Sequence, residues 1–211
     1  MLEIVPLMLG PVATNTYLIA DSDTCEAAVI DPAWDGQLIA AEAKQRNWRI
    51  SQIWITHAHF DHIGGTGDLV RGLQVEPVIA LHPNDRLLWD SQGGAALFGF
   101  TLPVTPAPTL NLEHGMDLRL GRSFFKVLFT PGHTPGHCIF YCTDSGVCFC
   151  GDLIFQNSVG RTDLPGGDWE TLVTSIRSQV FPLPDDTRLL SGHGPETTVG
   201  QEKSGNPFVR A

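Results

Sequence analysis

The chain has no apolar run approaching ~18 residues, so nothing in it reads as a membrane-spanning helix. Its first residues, MLEIVPLMLGPV, carry neither a basic n-region nor a small-residue cleavage site, and a cytoplasmic protein is expected. Cations are scarce: 13 Lys and Arg against 23 Asp and Glu leave a formal net charge of −10, and no basic run gathers the 13. That balance repels a phosphate backbone, which argues against a nucleic-acid partner. The five cysteines form no CxxC pair and are odd in number, so they read as reduced core thiols rather than a disulfide framework. Cys142, Cys148 and Cys150 lie in YCTDSGVCFC, a hairpin pattern around Asp144-Ser145-Gly146. No internal repeat is present.

What remains is a globular, turn-rich composition, 42% hydrophobic with 22 Gly and 15 Pro, which excludes disorder. At 211 residues, length favours one domain spanning residues 1–211 around one well-buried core. Short β-branched runs predict strands near Leu2–Met8, Asn15–Ile19, Ala27–Ile30, Gln52–Ile55, Val78–Leu81, Phe124–Phe129, Cys138–Cys142, Val147–Cys150 and Arg188–Leu190. Helical periodicity covers Gly36–Asn47, Asp61–Leu73, Asn84–Asp90 and Trp169–Val180, the last with Trp169, Leu172, Val173 and Ile176 on one face. The mixture defines an α/β or α+β class. Ser91–Thr109 lacks periodicity and reads equally as a lid or as a variable surface loop.

The chemistry concentrates in IWITHAHFDH, Ile53 to His62, directly after a strand pattern. In an extended segment His57, His59 and Asp61 share one face while Ala58 and Phe60 point inward, and a helix start then swings His62 round. Asp61 also suits the first turn of a helix, where exposed N–H groups favour a carboxylate. With 8 His in the chain, an H-x-H-x-D-H match arises by chance on the order of one time in a thousand. Imidazole and carboxylate suit Zn²⁺ and similar ions, but four such groups exceed one tetrahedral site that keeps an open position. Further donors are therefore expected. His133 in TPGHTPGH, Asp152 in CFCGD and His193 in LLSGHGP each follow a strand pattern and are flanked by Gly.

H-x-H-x-D-H followed by His133, Asp152 and His193 resembles the metallo-β-lactamase superfamily across nearly the whole chain. The resemblance implies a four-layer αβ/βα sandwich with two divalent metal ions at one edge, Zn foremost and Fe or Mn as alternatives. It implies His57, His59 and His133 on the first ion, Asp61, His62 and His193 on the second, and Asp152 between them. Asp31 in VIDP resembles a strand-end aspartate that orients ligands, and an Asx-turn before Pro32 explains it equally well. His82, His114 and His137 match no ligand position and are expected to serve packing or solvation, with His137 as a candidate support for the His133 loop.

Two ions sharing a carboxylate supply hydroxide at neutral pH without a Ser or Cys nucleophile, with Asp61 assisting its orientation. A thiolate leaving group, pKa about 8.5, needs little protonation, so a small thioester suits such a site. The runs GDLIFQNSVGRTDLPGGD and GHGPETTVGQEKSGNPF are similar to hydrolases related to glyoxalase II, the hydroxyacylglutathione hydrolases. That likeness implies S-D-lactoylglutathione or a related acyl-glutathione as substrate, with Arg161 binding a substrate carboxylate. Three departures accompany it: Asp163 replaces an expected aromatic residue, Gly194 and Pro195 replace another after the last histidine, and no C-terminal helical domain follows. A lactonase or general esterase and an iron-dependent persulfide dioxygenase are the alternatives.

Overall fold

Strands that are apolar on both faces need cover on both faces, and the computed structural model, which describes residues 1–210, supplies it in layers. Strands β1 (Leu2–Leu9), β2 (Thr14–Asp21), β3 (Glu26–Ile30), β4 (Arg49–Trp54), β5 (Val78–Leu81) and β6 (Leu110–Asn111) form one sheet in sequence order. Strands β7 (Asp117–Leu120), β8 (Ser123–Phe129), β9 (Cys138–Cys142), β10 (Val147–Gly151), β13 (Arg188–Ser191) and β14 (Thr197–Thr198) form the second, ordered β14-β13-β10-β9-β8-β7. Between β10 and β13 a small hairpin, β11 (Ile154–Phe155) and β12 (Ser158–Val159), stands apart. The helices are α1 (Gly36–Gln45), α2 (Phe60–Ile63), α3 (Thr66–Gly72), α4 (Arg86–Asp90), α5 (Trp169–Ser175) and α6 (Val199–Gly205).

Three apolar clusters separate the layers. Along β2, Leu18 and Ala20 face one cluster with Ile39 and Ala43 of α1 and Leu69 of α3, while Tyr17 and Ile19 face another with Phe125, Phe140 and Phe149 of the second sheet. Along β10, Val147 and Phe149 join that central cluster, and Cys148 and Cys150 turn to a third with Leu172 of α5 and Val199 of α6. Period-two alternation thus packs helix on sheet on sheet on helix, the four-layer sandwich that the resemblance implies. Trp54 anchors the centre, its indole edge-on to Phe125 at 4.8 Å. Cys138, Cys142, Cys148 and Cys150 are buried thiols in these cores, whereas Cys25 is exposed in a turn. No helix among the described residues is long and apolar enough to cross a membrane.

The structure corrects several expected boundaries. The helix read over Asp61–Leu73 is two, α2 and α3, because the backbone of Ala33 and Trp34 crosses at Gly64 and Gly65. A Cβ on Gly64 would stand 2.6 Å from the Trp34 ring, and one on Gly65 2.7 Å from the Trp34 carbonyl oxygen. Trp169–Val180 is α-helical only to Ser175 and continues as a wider π-turn over Ile176–Val180, with Trp169 40% exposed while Leu172 and Ile176 are buried. Ser91–Thr109 is not structureless: Gln92–Phe98 forms a 3₁₀ segment kinked at Gly93 and Gly94. Strand β7 and helix α6 escape the periodicity analysis, β7 because DLRL has two leucines set between charges and no β-branched residue, and α6 because VGQEKSG carries a single large apolar side chain.

Candidate metal centre

The segment after β4 is held at every residue. Ala58 N–H donates to Asp85 Oδ2 at 2.9 Å, which leaves the flanking His57 and His59 side chains free to turn into the cleft. His59, extended at φ −64 and ψ 148, precedes α2, and the helical turn of Phe60–Ile63 brings Asp61 and His62 back over the same point. Phe60 does not simply point inward: its ring stacks on Phe98 and Phe100 at 5.0 and 5.3 Å and forms part of the cleft wall.

All the donors expected from the sequence come together. His59 Nδ1 lies 2.9 Å and His57 Nε2 3.2 Å from His133 Nε2. Asp61 Oδ2 lies 3.5 Å from His62 Nε2 and 3.2 Å from His193 Nε2. Within each of these two sets one ligand atom per residue lies within 4.8 Å of the others. Asp152 reaches both sets, with Oδ1 3.3 Å from His62 Nε2 and Oδ2 3.6 Å from both His133 and His193 Nε2. His62 Nε2 and Asp152 Oδ1 are buried without a hydrogen-bond partner, which is rare for groups that polar. Cations between these atoms would satisfy them, so the donor set fits a dinuclear site.

The electrostatics divide the sets. Burial, with mutual repulsion among the imidazoles, pushes His57 well below its ordinary pKa and His59 down to about 3, which favours the neutral form that a cation needs. In the other set burial also disfavours the imidazolium, but Asp152 and Asp61 outweigh it and raise His62. Burial opposes ionisation of Asp61 as well, and His62 and His193 still hold its carboxyl down to about 2. Metal-free, the second set thus keeps protons where the carboxylates call for positive charge.

Several supports carry no sequence motif. Asp31 accepts from Thr56 N–H at 2.7 Å, from the Thr56 hydroxyl at 2.6 Å and from His62 Nδ1 at 2.9 Å, which settles it as an orienting group rather than an Asx-turn. The Thr56 hydroxyl in turn lies 3.0 Å from His57 Nδ1. His133 Nδ1 donates to the Arg161 carbonyl at 2.7 Å. In all three histidines the Nδ1 contact leaves Nε2 to the cleft. Buried His137 supports a ligand too: its Nε2 accepts from Asp152 N–H at 3.2 Å and its Nδ1 meets Thr130 at 2.9 Å. Asp85 also accepts from Thr134 at 2.8 Å and Gly136 N–H at 2.6 Å, tying the two histidine loops together. From β2, Thr14 donates to Asp61 at 3.0 Å, Tyr17 to the Ser191 carbonyl at 2.7 Å, and Asn15 to the Ser191 and Gly194 carbonyls around His193. For Thr14, Asp31 and Thr56 a position at or just past a strand end is a usable signal, whereas Tyr17 within β2 and Asp85 on a helical turn carry none. His82 and His114 accept backbone N–H groups and belong to the scaffold.

The centre opens into a cleft of about 420 Å³ walled by Val12, Phe60, Phe98, Phe155, Val159 and Leu164. Arg161 also lines it, its guanidinium paired with Asp163 through two 2.7 Å hydrogen bonds.

Donors at strand ends, in a cleft of a four-layer sandwich, define a metallo-hydrolase. The sequence pattern of the metallo-beta-lactamase superfamily matches residues 9–193, and the chain belongs to that family. It is 37% identical to hydroxyacylglutathione hydrolase GloC of Haemophilus influenzae, over 100% of this chain and 98% of the relative. The crystal structure of BLEG-1 B3 metallo-beta-lactamase superposes with a TM-score of 0.91 at 36% identity, covering 100% of both chains. TTHA1623 in a di-iron-bound form superposes with a TM-score of 0.88 at 38% identity, covering 97% of this chain and 100% of that one.

Proposed function

We propose that this metallo-hydrolase cleaves a small thioester, S-D-lactoylglutathione or a related acyl-glutathione, at a dinuclear centre. His57, His59 and His133 would hold one cation, Asp61, His62 and His193 the other, and Asp152 both. When bound, the ions supply Lewis acidity toward the substrate carbonyl and a water-derived nucleophile at neutral pH. Asp61, its Oδ2 already held by the Thr14 hydroxyl, orients the attacking water. Phe60 and Phe98 exclude bulk solvent, and Arg161 binds a carboxylate of the thiol portion. Residues 1–211 are read as one domain that holds all of these groups.

One observation carries the choice of ester. Besides the metal donors His59, Asp61, His133, Asp152 and His193, the cleft's titratable lining consists of Arg161 alone. Arginine does not give up its proton, so no side chain is free to act as general acid. A thiolate leaves such a cleft without a proton more readily than an alkoxide does, which favours a thioester over an oxygen ester.

Zn is the proposed metal, and the di-iron form of the solved relative favours iron as the second reading. Steady-state assay of protein loaded with two metal equivalents tests the proposal: turnover of S-D-lactoylglutathione is expected. Failure there with turnover of a lactone or an oxygen ester would replace the substrate class. Oxygen uptake with glutathione persulfide at one iron per chain would replace the reaction.

A further inference from the structure

Arg161 is the single Lys or Arg side chain lining the cleft, and its charge is already answered. Its Nε donates to Asp163 Oδ1 and its Nη2 to Asp163 Oδ2, both at 2.7 Å, a two-pronged pair that occupies one whole side of the guanidinium. The hydrogen bonds from Arg161 hold the Asp163 carboxyl down to about 2, so mild acid does not release it. The pair closes across one intervening residue, and the Arg161 backbone is fixed by the hydrogen bond its carbonyl accepts from His133 Nδ1 at 2.7 Å. No chain movement is needed to keep the two groups in register. Around them Val159, Phe155 and Leu164 give an incoming anion nothing to bind, and a net charge of −10 adds long-range repulsion.

We infer that Asp163 is a specificity-determining residue, a resident counter-anion that competes with substrate carboxylates for Arg161. It lowers affinity for thioesters whose thiol portion is negatively charged and leaves those with an uncharged thiol portion unaffected. The inference rests on the thioester reading above for its kinetic form, and on the Arg161–Asp163 pair alone for its binding form. Asp163 touches no reacting atom and acts through Arg161.

The test compares metal-loaded wild type with Asp163→Asn on two substrates of the same acyl group, S-lactoylglutathione and S-lactoyl-N-acetylcysteamine. The ratio of kcat/KM for the charged over the uncharged thioester is expected to rise about fivefold, carried by KM, and to shrink toward wild type at high ionic strength. Calorimetric titration with S-methylglutathione, a thioether that cannot be hydrolysed, should show Kd falling by a similar factor. Adding Arg161→Gln to the Asp163→Asn protein should erase both gains, which a merely structural role for Asp163 would not predict. A ratio and a Kd within about twofold of wild type would overturn the inference, leaving an ordinary exposed ion pair. If wild type hydrolyses neither thioester while S-methylglutathione still binds more tightly to Asp163→Asn, the thioesterase reading falls and the anion competition stands.

Discussion

The first sheet contributes four donors from one short segment, His57 to His62, whereas the second contributes three from separate strand ends, His133, Asp152 and His193. In the first, local geometry does most of the placing: an extended residue pair and a single helical turn aim four side chains at one point. In the second, each loop has to be pinned individually, and the pins are distant in sequence. Asn15 and Tyr17 reach across from β2 to hold the Ser191–Gly194 turn, and His137 holds Asp152 by its backbone. Gly192 has no side chain because a Cβ there would collide with the Asp152 carboxylate and the His62 ring. A compact motif needs few supports, and a dispersed one borrows rigidity from the facing sheet.

Replacing Asp152 tests the dispersed half most severely. Asp152→Asn removes the one charge near both sets, and we expect kcat to fall about a thousandfold with loss of at least one metal equivalent by elemental analysis. Asp31→Ala attacks the support of the compact half. Freed of its Nδ1 partner, His62 should lose orientation, and metal affinity should drop about 10–100-fold, first in the Asp61, His62 and His193 set. Equal weakening of both equivalents would mean that Asp31 supports the whole centre rather than the compact segment.

Acid should separate the two donor sets, which cut across the halves, in the metal-stripped protein. Burial lowers the pKa of His57, His59, His133 and His137, so the unfolded chain binds more protons than the folded one below about 6.5 and stability falls as pH falls. His62 and His193, raised by their carboxylates, contribute stability that is full below about 6.5 and is lost as pH rises through their folded values. Below about 6.5 the raised pair is protonated in both folded and unfolded states and adds no slope, so the lowered histidines, His82 among them, make acidification destabilising. The melting temperature should decline by about 4 °C per pH unit for each uncompensated proton between pH 6.5 and 4.5. A flat profile would mean that the buried histidines bind protons in the folded protein as readily as in the unfolded chain. The smallest effect is expected from Asn15→Ala, which loosens only the His193 turn: about threefold in kcat/KM, with the His57, His59 and His133 set still filled.

Much of this is legible in the amino-acid sequence itself. H-x-H-x-D-H and three Gly-flanked strand ends identify the donors, and alternating apolar runs on both strand faces specify covered sheets. What escaped was support by residues with ordinary identities. Thr56, Asp85 and Asn15 sit at positions where Thr, Asp and Asn are equally at home in turns, and only tertiary contact reveals the groups they hold. His137 is legible only as packing or as a support for the His133 loop, and the hydrogen bond it accepts from Asp152 N–H shows that it holds a different ligand loop. The break between α2 and α3 was similarly hidden, since Gly64-Gly65 is tolerable in a helix until another strand of chain crosses over it.

The β11–β12 hairpin places Phe155 and Val159 along the cleft yet belongs to neither large sheet. It hangs from α6, where the buried Glu202 carboxylate accepts Asn157 N–H at 2.9 Å and Asn206 donates to the Ser158 carbonyl at 3.0 Å. The wall formed by Phe155 and Val159 thus rests on a hairpin docked to α6, outside the two large sheets whose strand ends carry the candidate cation donors, so that wall can be reshaped without touching them.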